Sequence, residues 1–224
     1  MTPARLEAVR ARIAAACAAA GRGPEAVTLV AVSKTFPAEA VRAAYALGLR
    51  DFGENYAQEL RLKAEALRDL ALRWHFVGHL QRNKVGPVAA WASVVHAVDS
   101  VPIAAALGRR VAQAGRSVRV LVQVDLTGAE GRSGCAPEAL PAVLDAVRAE
   151  GSLTLSGLMT LPPHTEDPRG ARAFFDALAA LRERHGGPSA LPELSMGMTH
   201  DLEVAIEAGA TMVRVGTGLF GHRG

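Results

Sequence analysis

The stretch LVAVSKTFP, residues 29–37, decides the fold assignment because an apolar run ends there at a short polar turn. The run is rich in β-branched residues, as buried strands are, and apolar residues recur at helical spacing after Pro37. A buried strand, a turn and a helix form the repeating unit of proteins with parallel sheets. The turn also holds Lys34, one of three lysines in a chain with 22 arginines.

The same alternation continues along the whole chain of 224 residues. We predict eight strands, at residues 27–33, 50–53, 74–77, 94–98, 118–126, 153–161, 193–195 and 212–215. Helical patterns predict helices at residues 38–47, 57–70, 103–114, 138–149, 168–184 and 201–208, each bounded by Pro, Gly, Asp or Ser. An amphipathic helix that ends at Gly21 precedes the first strand.

Eight strands in a chain of this length predict an α/β fold, a compact (β/α)₈ TIM barrel. We expect one domain over residues 1–224, with the N-terminal helix as an addition to the barrel. The alternative is a doubly wound open sheet. Such a sheet usually has fewer strands and a glycine-rich turn after the first one, where this chain has Ser33-Lys34-Thr35.

Charge, hydropathy and cysteine content exclude several classes of function. The formal charge is +3, and the arginines are scattered among acidic residues without a basic block, so no nucleic-acid partner is expected. No run of about 18 uncharged apolar residues is present, so no membrane span is expected. Cys17 and Cys135 fit neither a zinc spacing nor a disulfide framework, which predicts free thiols in a reducing, cytoplasmic location.

Polar residues follow several predicted strands at the point where each strand ends, and barrel enzymes build their sites at that face. These residues are Lys34, Glu54, Asn55, His79, Gln81, Asn83, Thr160 and the loops SMGMTHD (195–201) and VGTGLFG (215–221). The two loops combine hydroxyl groups with glycines whose amides can approach an anion, after the seventh and eighth strands where barrels commonly bind phosphate.

Arg214 lies inside the last apolar strand, where a guanidinium needs a hydrogen-bond acceptor; a carboxylate at the barrel mouth is the plain alternative to a ligand. A lysine, a phosphate loop and a buried arginine together indicate an aldehyde that carries a phosphate, because a lysine amine forms a Schiff base with an aldehyde. Pyridoxal 5′-phosphate (PLP) fits this description. A Schiff-base aldolase with a phosphorylated substrate remains open at this point.

Six segments carry a resemblance to a known family: LVAVSKT, FGENYAQE, WHFVGHLQRNK, SGLMTLPP, LSMGMTHDLEVAI and TMVRVGTGLFG. In this order they resemble the YggS/PROSC-type pyridoxal phosphate homeostasis proteins, which are similar to the barrel of alanine racemases. The resemblance covers nearly the whole chain. His79 and His200 depart from the residues usual in that family, which leaves the chemistry of their loops open.

The resemblance implies a role for seven residues. Lys34 would hold the cofactor as an internal aldimine, and Arg214 would face the pyridine nitrogen. Ser195, Gly216 and Thr217 would hold the phosphate, whereas Asn55 and Met196 would line the surroundings of the ring. The implied function is cofactor homeostasis without a dedicated reaction, with PLP-dependent apoenzymes as possible acceptors and a monomeric state.

An arginine opposite the ring nitrogen disfavours its protonation and so weakens the ring as an electron sink. A racemase would also need a second acid or base, and Tyr56 is the one plausible candidate, because Tyr45 is expected to pack within a helix. A weak amino-acid racemase is therefore the alternative function. His75 is expected to be a hydrogen-bonded core residue. His96, His164, His185 and His222 have no ligand spacing, so no metal site is expected.

Overall fold

The computed structural model describes residues 1–221. It is a closed barrel of eight parallel strands in chain order. The strands are β1 (Thr28–Val32), β2 (Asp51–Glu54), β3 (Arg73–Phe76), β4 (Val94–Val98), β5 (Val118–Gln123), β6 (Leu153–Met159), β7 (Glu193–Ser195) and β8 (Met212–Val215).

Helices alternate with the strands around the barrel. They are α1 (Pro3–Ala19), α2 (Ala38–Ala46), α3 (Ala57–Ala66), α4 (Val85–Trp91), α5 (Val101–Gln113), α6 (Leu140–Ala149), α7 (Arg172–Arg184), α8 (Gly187–Ala190), α9 (Leu202–Glu207) and α10 (Thr217–Phe220). The predicted (β/α)₈ fold, with an additional N-terminal helix, is confirmed.

The barrel closes because the first strand, β1, pairs with the last strand, β8, as well as with β2. On one side of β1, Ala31 lies opposite Phe52 of β2, and on the other side Thr28 lies opposite Met212 of β8. Because all eight strands run in parallel, their carboxyl ends share one face, and Lys34 follows directly after β1 on that face.

Several predicted bounds differ from the structure. Strands β5 and β6 end two or three residues early, and after β5 only Val124 continues in a bridge, with Cys135. Helix α3 ends at Ala66 instead of residue 70. Helices α6 and α7 are each preceded by a 3₁₀ turn, where Pro137 and Pro168 begin the segments. Helix α4 was not predicted.

The barrel separates two apolar regions. Most buried apolar side chains pack between the strands and the surrounding helices. A small cluster of Val94, Leu121 and Met159 forms a second region, with Leu161 against it. The strands also bury polar side chains, among them two histidines, a serine and an arginine.

The N-terminal helix packs along the barrel and reaches the loop after β7. Arg12 donates to both carboxylate oxygens of Glu203, at 2.6 and 2.8 Å, and to the carbonyl oxygen of Thr199 at 2.8 Å. Burial alone would raise the pKa of Glu203, but the hydrogen bond from Arg12 lowers it. Within residues 1–221, no helix is long and apolar enough to span a membrane.

Candidate cofactor site

Lys34 lies in a tight turn at the carboxyl end of β1. The amide of Phe36 donates to the carbonyl oxygen of Ser33 at 3.1 Å, and Thr35 has a left-handed backbone with φ of 70°. A left-handed conformation is costly for a β-branched residue, so surrounding contacts must hold it. The Lys34 side chain is exposed and makes no hydrogen bond or ion pair within the described chain. Its amine is therefore available for reaction.

A buried charge network lies behind this turn. Lys63 of α3 donates to Glu54 at 2.7 Å, to Glu59 at 2.9 Å and to the carbonyl oxygen of Ser33 at 2.7 Å. The Ser33 hydroxyl also donates to Glu54, and the amide of Thr35 donates to Glu59, both at 2.6 Å. The turn that presents Lys34 is thus fastened to β2 and α3 by side chains.

The two carboxylates of this network have pKa values shifted in opposite directions. Burial raises the pKa of Glu54, whose Oε2 has no hydrogen-bond partner in the described chain. Burial alone would also raise the pKa of Glu59, but the hydrogen bonds from Thr35 and Lys63 lower it. Glu59 is therefore the firmly ionised partner of Lys63.

A cavity of about 440 Å³ opens at the carboxyl face of the barrel beside this turn. Five of the seven predicted site residues line it: Lys34, Asn55, Arg214, Gly216 and Thr217. Apolar walls come from β1, from the segment after β3 and from the segment after β6, through Val32, Val77 and Leu161. An apolar pocket with a few convergent polar groups is the usual form of a small-molecule site.

Arg214 reaches the floor of this cavity from β8 and is 4% exposed. Its guanidinium donates to the hydroxyl of Ser195 and, at 3.0 Å, to the carbonyl oxygen of Thr160. Burial lowers the pKa of Arg214 to about 10, so the group stays cationic at neutral pH. Among residues 1–221 no carboxylate forms an ion pair with it, so the expected alternative of a carboxylate at the barrel mouth does not hold.

The loops after β7 and β8 meet at one end of the cavity. The Thr199 hydroxyl accepts from the amide of Gly218 at 3.2 Å and lies 3.2 Å from the hydroxyl of Thr217. A methyl group on Gly218 would lie 3.0 Å from Thr199 and from Val215, so the two loops pack as closely as glycine allows. Their hydroxyls and amides form a cradle of anion-binding groups.

Two predicted residues lie elsewhere. Ser195 and Met196 are fully buried in the barrel and do not line the cavity. The Ser195 hydroxyl is engaged with Arg214 and with His96 at 2.8 Å inside the barrel, and its role at the phosphate stays a prediction. Sequence reasoning missed Thr199, although a hydroxyl residue two positions after Gly197 in the same loop was a usable signal.

The two histidines that depart from the family differ in position. His200 lines the cavity and bonds through Nε2 to the carbonyl oxygen of Thr165 at 3.1 Å, whereas His79 is exposed and lies 3.5 Å from Asp99. Tyr56, the candidate second base, is 55% exposed and does not line the cavity. The structure therefore does not bring it together with Lys34.

Two of the other histidines, His75 and His96, are bonded to each other inside the barrel. His75 is a buried, hydrogen-bonded core residue, as predicted, and its partners are Asp51 and His96. No group of three metal-binding side chains occurs within the described residues. His222, for which no ligand role was expected, lies outside them.

The barrel and its lysine-bearing cavity define a class of protein, and comparison with known proteins gives the family. Residues 4–224 match the model described as "Alanine racemase, N-terminal domain", and the chain belongs to that family. It is 49% identical over 216 residues to the Pyridoxal phosphate homeostasis protein of Pseudomonas aeruginosa, covering 96% of this chain and 93% of the relative. The protein of that name from Aquifex aeolicus is 42% identical over 221 residues, with coverage of 98% and 97%.

A solved structure shows the same fold. PipY of Synechococcus elongatus, with PLP bound, superposes with a TM-score of 0.80 and 38% identity, covering 93% of this chain and 100% of PipY. The resemblance to the pyridoxal phosphate homeostasis proteins, expected from the sequence, is confirmed.

The residues of this cavity fit PLP. The exposed amine of Lys34 suits the aldehyde, the hydroxyls of Thr199 and Thr217 suit the phosphate, and the buried cation of Arg214 suits an unprotonated ring nitrogen.

Proposed function

We propose that this protein binds PLP covalently at Lys34 and serves cofactor homeostasis by storing it and handing it on. The observation that carries the proposal is that a free lysine amine, a buried cation and a cradle of hydroxyls and amides line one cavity. The names of the relatives and the PLP in the PipY structure support it. Bound PLP supplies an electrophilic aldehyde and a ring that can accept electrons.

Each residue of the proposed site has one task. The amine of Lys34 would hold the cofactor at its aldehyde group. Thr199, Thr217 and the adjacent amides hold the phosphate. Asn55 lines the wall beside the ring. Of the two remaining predicted residues, Ser195 acts through Arg214, and Met196 supports the barrel below.

The site favours holding the cofactor over catalysis. The cation of Arg214 in the cavity would repel a protonated ring nitrogen, which would limit carbanion chemistry. A racemase would need a proton donor on the side opposite Lys34, and exposed Tyr56 stands outside the cavity. We therefore propose a non-enzymatic role; a weak racemase is the alternative, favoured only by the family to which the chain belongs.

The remaining expectations belong to the same proposal. The whole chain acts as one PLP-binding domain, as a monomer in the cytoplasm, and PLP-dependent apoenzymes receive the cofactor. The free, buried Cys17 and Cys135 agree with a reducing compartment. An apoenzyme that regains activity faster from the loaded protein than from an equal amount of free PLP would support direct transfer.

Titration with PLP tests the binding site. We expect a stable visible absorbance band that disappears in Lys34→Ala and persists in Lys84→Ala, a control in which another exposed lysine is removed. Equal loss in both variants, or none in Lys34→Ala, contradicts the assignment of Lys34.

Hydrogen exchange at the α-carbon of alanine in D₂O separates the two functions. The exchange rate with the PLP-loaded protein should not exceed the rate with free PLP. Faster exchange that depends on Lys34 would instead establish the racemase alternative.

A further inference from the structure

A chain of hydrogen bonds between side chains runs through the barrel. Asp51 Oδ1 lies 3.0 Å from His75 Nε2, and His75 Nδ1 lies 2.9 Å from His96 Nε2. His96 Nδ1 lies 2.8 Å from Ser195 Oγ, which is also bonded to Nη1 of Arg214. Both histidines and the serine are at most 1% exposed.

This chain crosses the interior of the barrel. His96 belongs to β4 and Ser195 to β7, two strands that are not neighbours in the sheet, so their hydrogen bond passes through the interior. At one end Arg214 lines the cavity at the carboxyl face. At the other end Asp51 lines a separate cavity of about 540 Å³ at the amino-terminal face, together with Arg73.

The chemistry of the end groups favours one direction for the hydrogen bonds. A guanidinium only donates, so Ser195 Oγ accepts from Arg214, and the serine keeps one hydroxyl hydrogen that it can donate to His96 Nδ1. His96 must then donate from Nε2 to His75 Nδ1, and His75 must donate from Nε2 to Asp51. In this direction both rings carry a hydrogen on Nε2 and accept at Nδ1.

The charges around the chain agree with this direction. Burial alone would raise the pKa of Asp51, but hydrogen bonds from Arg73 and His75 lower it to about 2, so Asp51 is an anion. Burial lowers the pKa of His96 well below its ordinary value, and the charges of Arg214 and Arg119 act in the same direction.

The other charged groups near the chain are paired at its edge. Arg73 of β3 donates twice to Asp51 at 2.6 Å, and Arg119 of β5 donates to Glu193 of β7 at 2.8 Å. Asp201, in the loop after β7, acts on Arg214 only through its more distant charge. No second anion among these groups faces His96 directly, so a protonated His96 would find no stabilising partner there.

We propose that His75 and His96 are positioning residues that link the anion of Asp51 to Ser195, so that the serine hydroxyl points away from Arg214 and its oxygen holds the guanidinium at the cofactor site. The identity of the ligand rests on the function proposed above, whereas the order of the chain does not. Asp51, at the opposite face of the barrel, thus becomes a determinant of the site through four hydrogen bonds.

The order of the chain is tested on the ligand-free protein by ¹⁵N NMR of labelled histidine side chains. Both His75 and His96 should show an unprotonated Nδ1 and a protonated Nε2 from pH 6 to 8, with exposed His79 as an internal reference. A protonated His96, or a hydrogen on Nδ1 of either ring, overturns the proposal whether or not the protein binds PLP.

Its effect on the site is tested with His96→Leu and His96→Gln. Leucine breaks the chain and leaves buried groups unpaired, so we expect PLP affinity to fall about tenfold. The pH midpoint of the visible band should rise, because a loosened Arg214 opposes ring protonation less. Glutamine can accept from Ser195 and donate to His75, so it should restore both readouts.

A matched control is His185→Gln at the end of α7, away from the chain, which should behave as the unchanged protein. Unaltered affinity and midpoint in a folded His96→Leu variant overturn the proposal. If the unchanged protein fails to bind PLP, the proposed function is wrong, and the NMR result alone decides the order of the chain.

Discussion

The backbone amide of Thr35 donates a hydrogen bond to Oε2 of Glu59, 2.6 Å away, and so ties the turn that carries Lys34 to helix α3. The bond holds a residue in a left-handed conformation that a threonine rarely adopts unaided. Lys63 in turn holds Glu59 in place. The backbone that presents Lys34 is therefore held by the ion pair between Glu59 and Lys63.

Replacement of Lys63 by methionine should destabilise the protein by about 3–5 kcal/mol, because a buried ion pair loses its cation and leaves Glu54 and Glu59 facing each other. Urea unfolding measures the loss. Lys84→Met, at an exposed position, should change stability by less than about 0.5 kcal/mol. A similar small loss in both variants would show that the network adds nothing to stability.

Replacement of Gly157 in β6 by alanine should cost about 3 kcal/mol. Its φ of 156° lies at the edge of the region that favours glycine, and an added methyl group would clash with the carbonyl oxygen of Glu193 on β7. Gly151→Ala is the control, because nothing lies within 4 Å of an added methyl group there. Equal urea midpoints for the two variants would contradict the assigned contact between β6 and β7.

Stability should fall as the pH drops below about 6.5, the ordinary pKa of histidine, because His96 stays neutral in the folded barrel. The unfolded chain binds a proton below that pH and the folded chain does not, so the loss is up to about 1.4 kcal/mol per pH unit. This loss of stability is absent above pH 6.5. His96→Gln should flatten this part of the curve of unfolding free energy against pH, and an unchanged slope would refute the neutral assignment.

Asp51 contributes to the free energy of unfolding in a lower range of pH. Its folded pKa of about 2 is below the unfolded value of 3.8, so its contribution is present above about pH 4 and is lost as the pH falls through 2.

Removal of Arg12 should weaken phosphate-ester binding at the cavity. Arg12 holds both Glu203 and the carbonyl oxygen of Thr199, whose hydroxyl belongs to the anion cradle. We expect Arg12→Ala to bind PLP about threefold more weakly, since a half-exposed ion pair contributes less than about 1 kcal/mol. Arg10→Ala on the same helix removes an exposed pair with Glu7 and should leave affinity unchanged. Calorimetric titration with PLP measures the affinity of both variants.

Most strands could be predicted because they are short runs with β-branched or aromatic residues between breakers, and closure of the barrel follows from the number of strands. Their ends were harder to place. Val124 and Leu161 continue the apolar pattern past β5 and β6, yet both lie beyond the ladder, since composition does not show where a neighbour stops pairing. Helix α4 was missed because Gly86 and Pro87 read as breakers, although a proline is tolerated in the first turn of a helix.

The cavity could be predicted in part, because residues that follow strands share a face whatever their separation in sequence. Contacts across the barrel could not be predicted from the sequence. His96 and Ser195 are 99 residues apart, and no local pattern records that their strands face each other through the interior. The pairing of Lys63 with Glu54 was likewise hidden, since it depends on which side of β2 faces α3.

The pairing of β1 with β8 has a consequence for synthesis on the ribosome. Lys34 emerges early, whereas Arg214, Gly216 and Thr217 emerge with the last of the eight strands, and the barrel cannot close before β8 is available to β1. A growing chain therefore carries the amine of Lys34 long before it has the hydroxyls of the last two loops or the buried cation beside it. The proposed capture of cofactor by this protein can begin only after β8 has been synthesised and paired with β1.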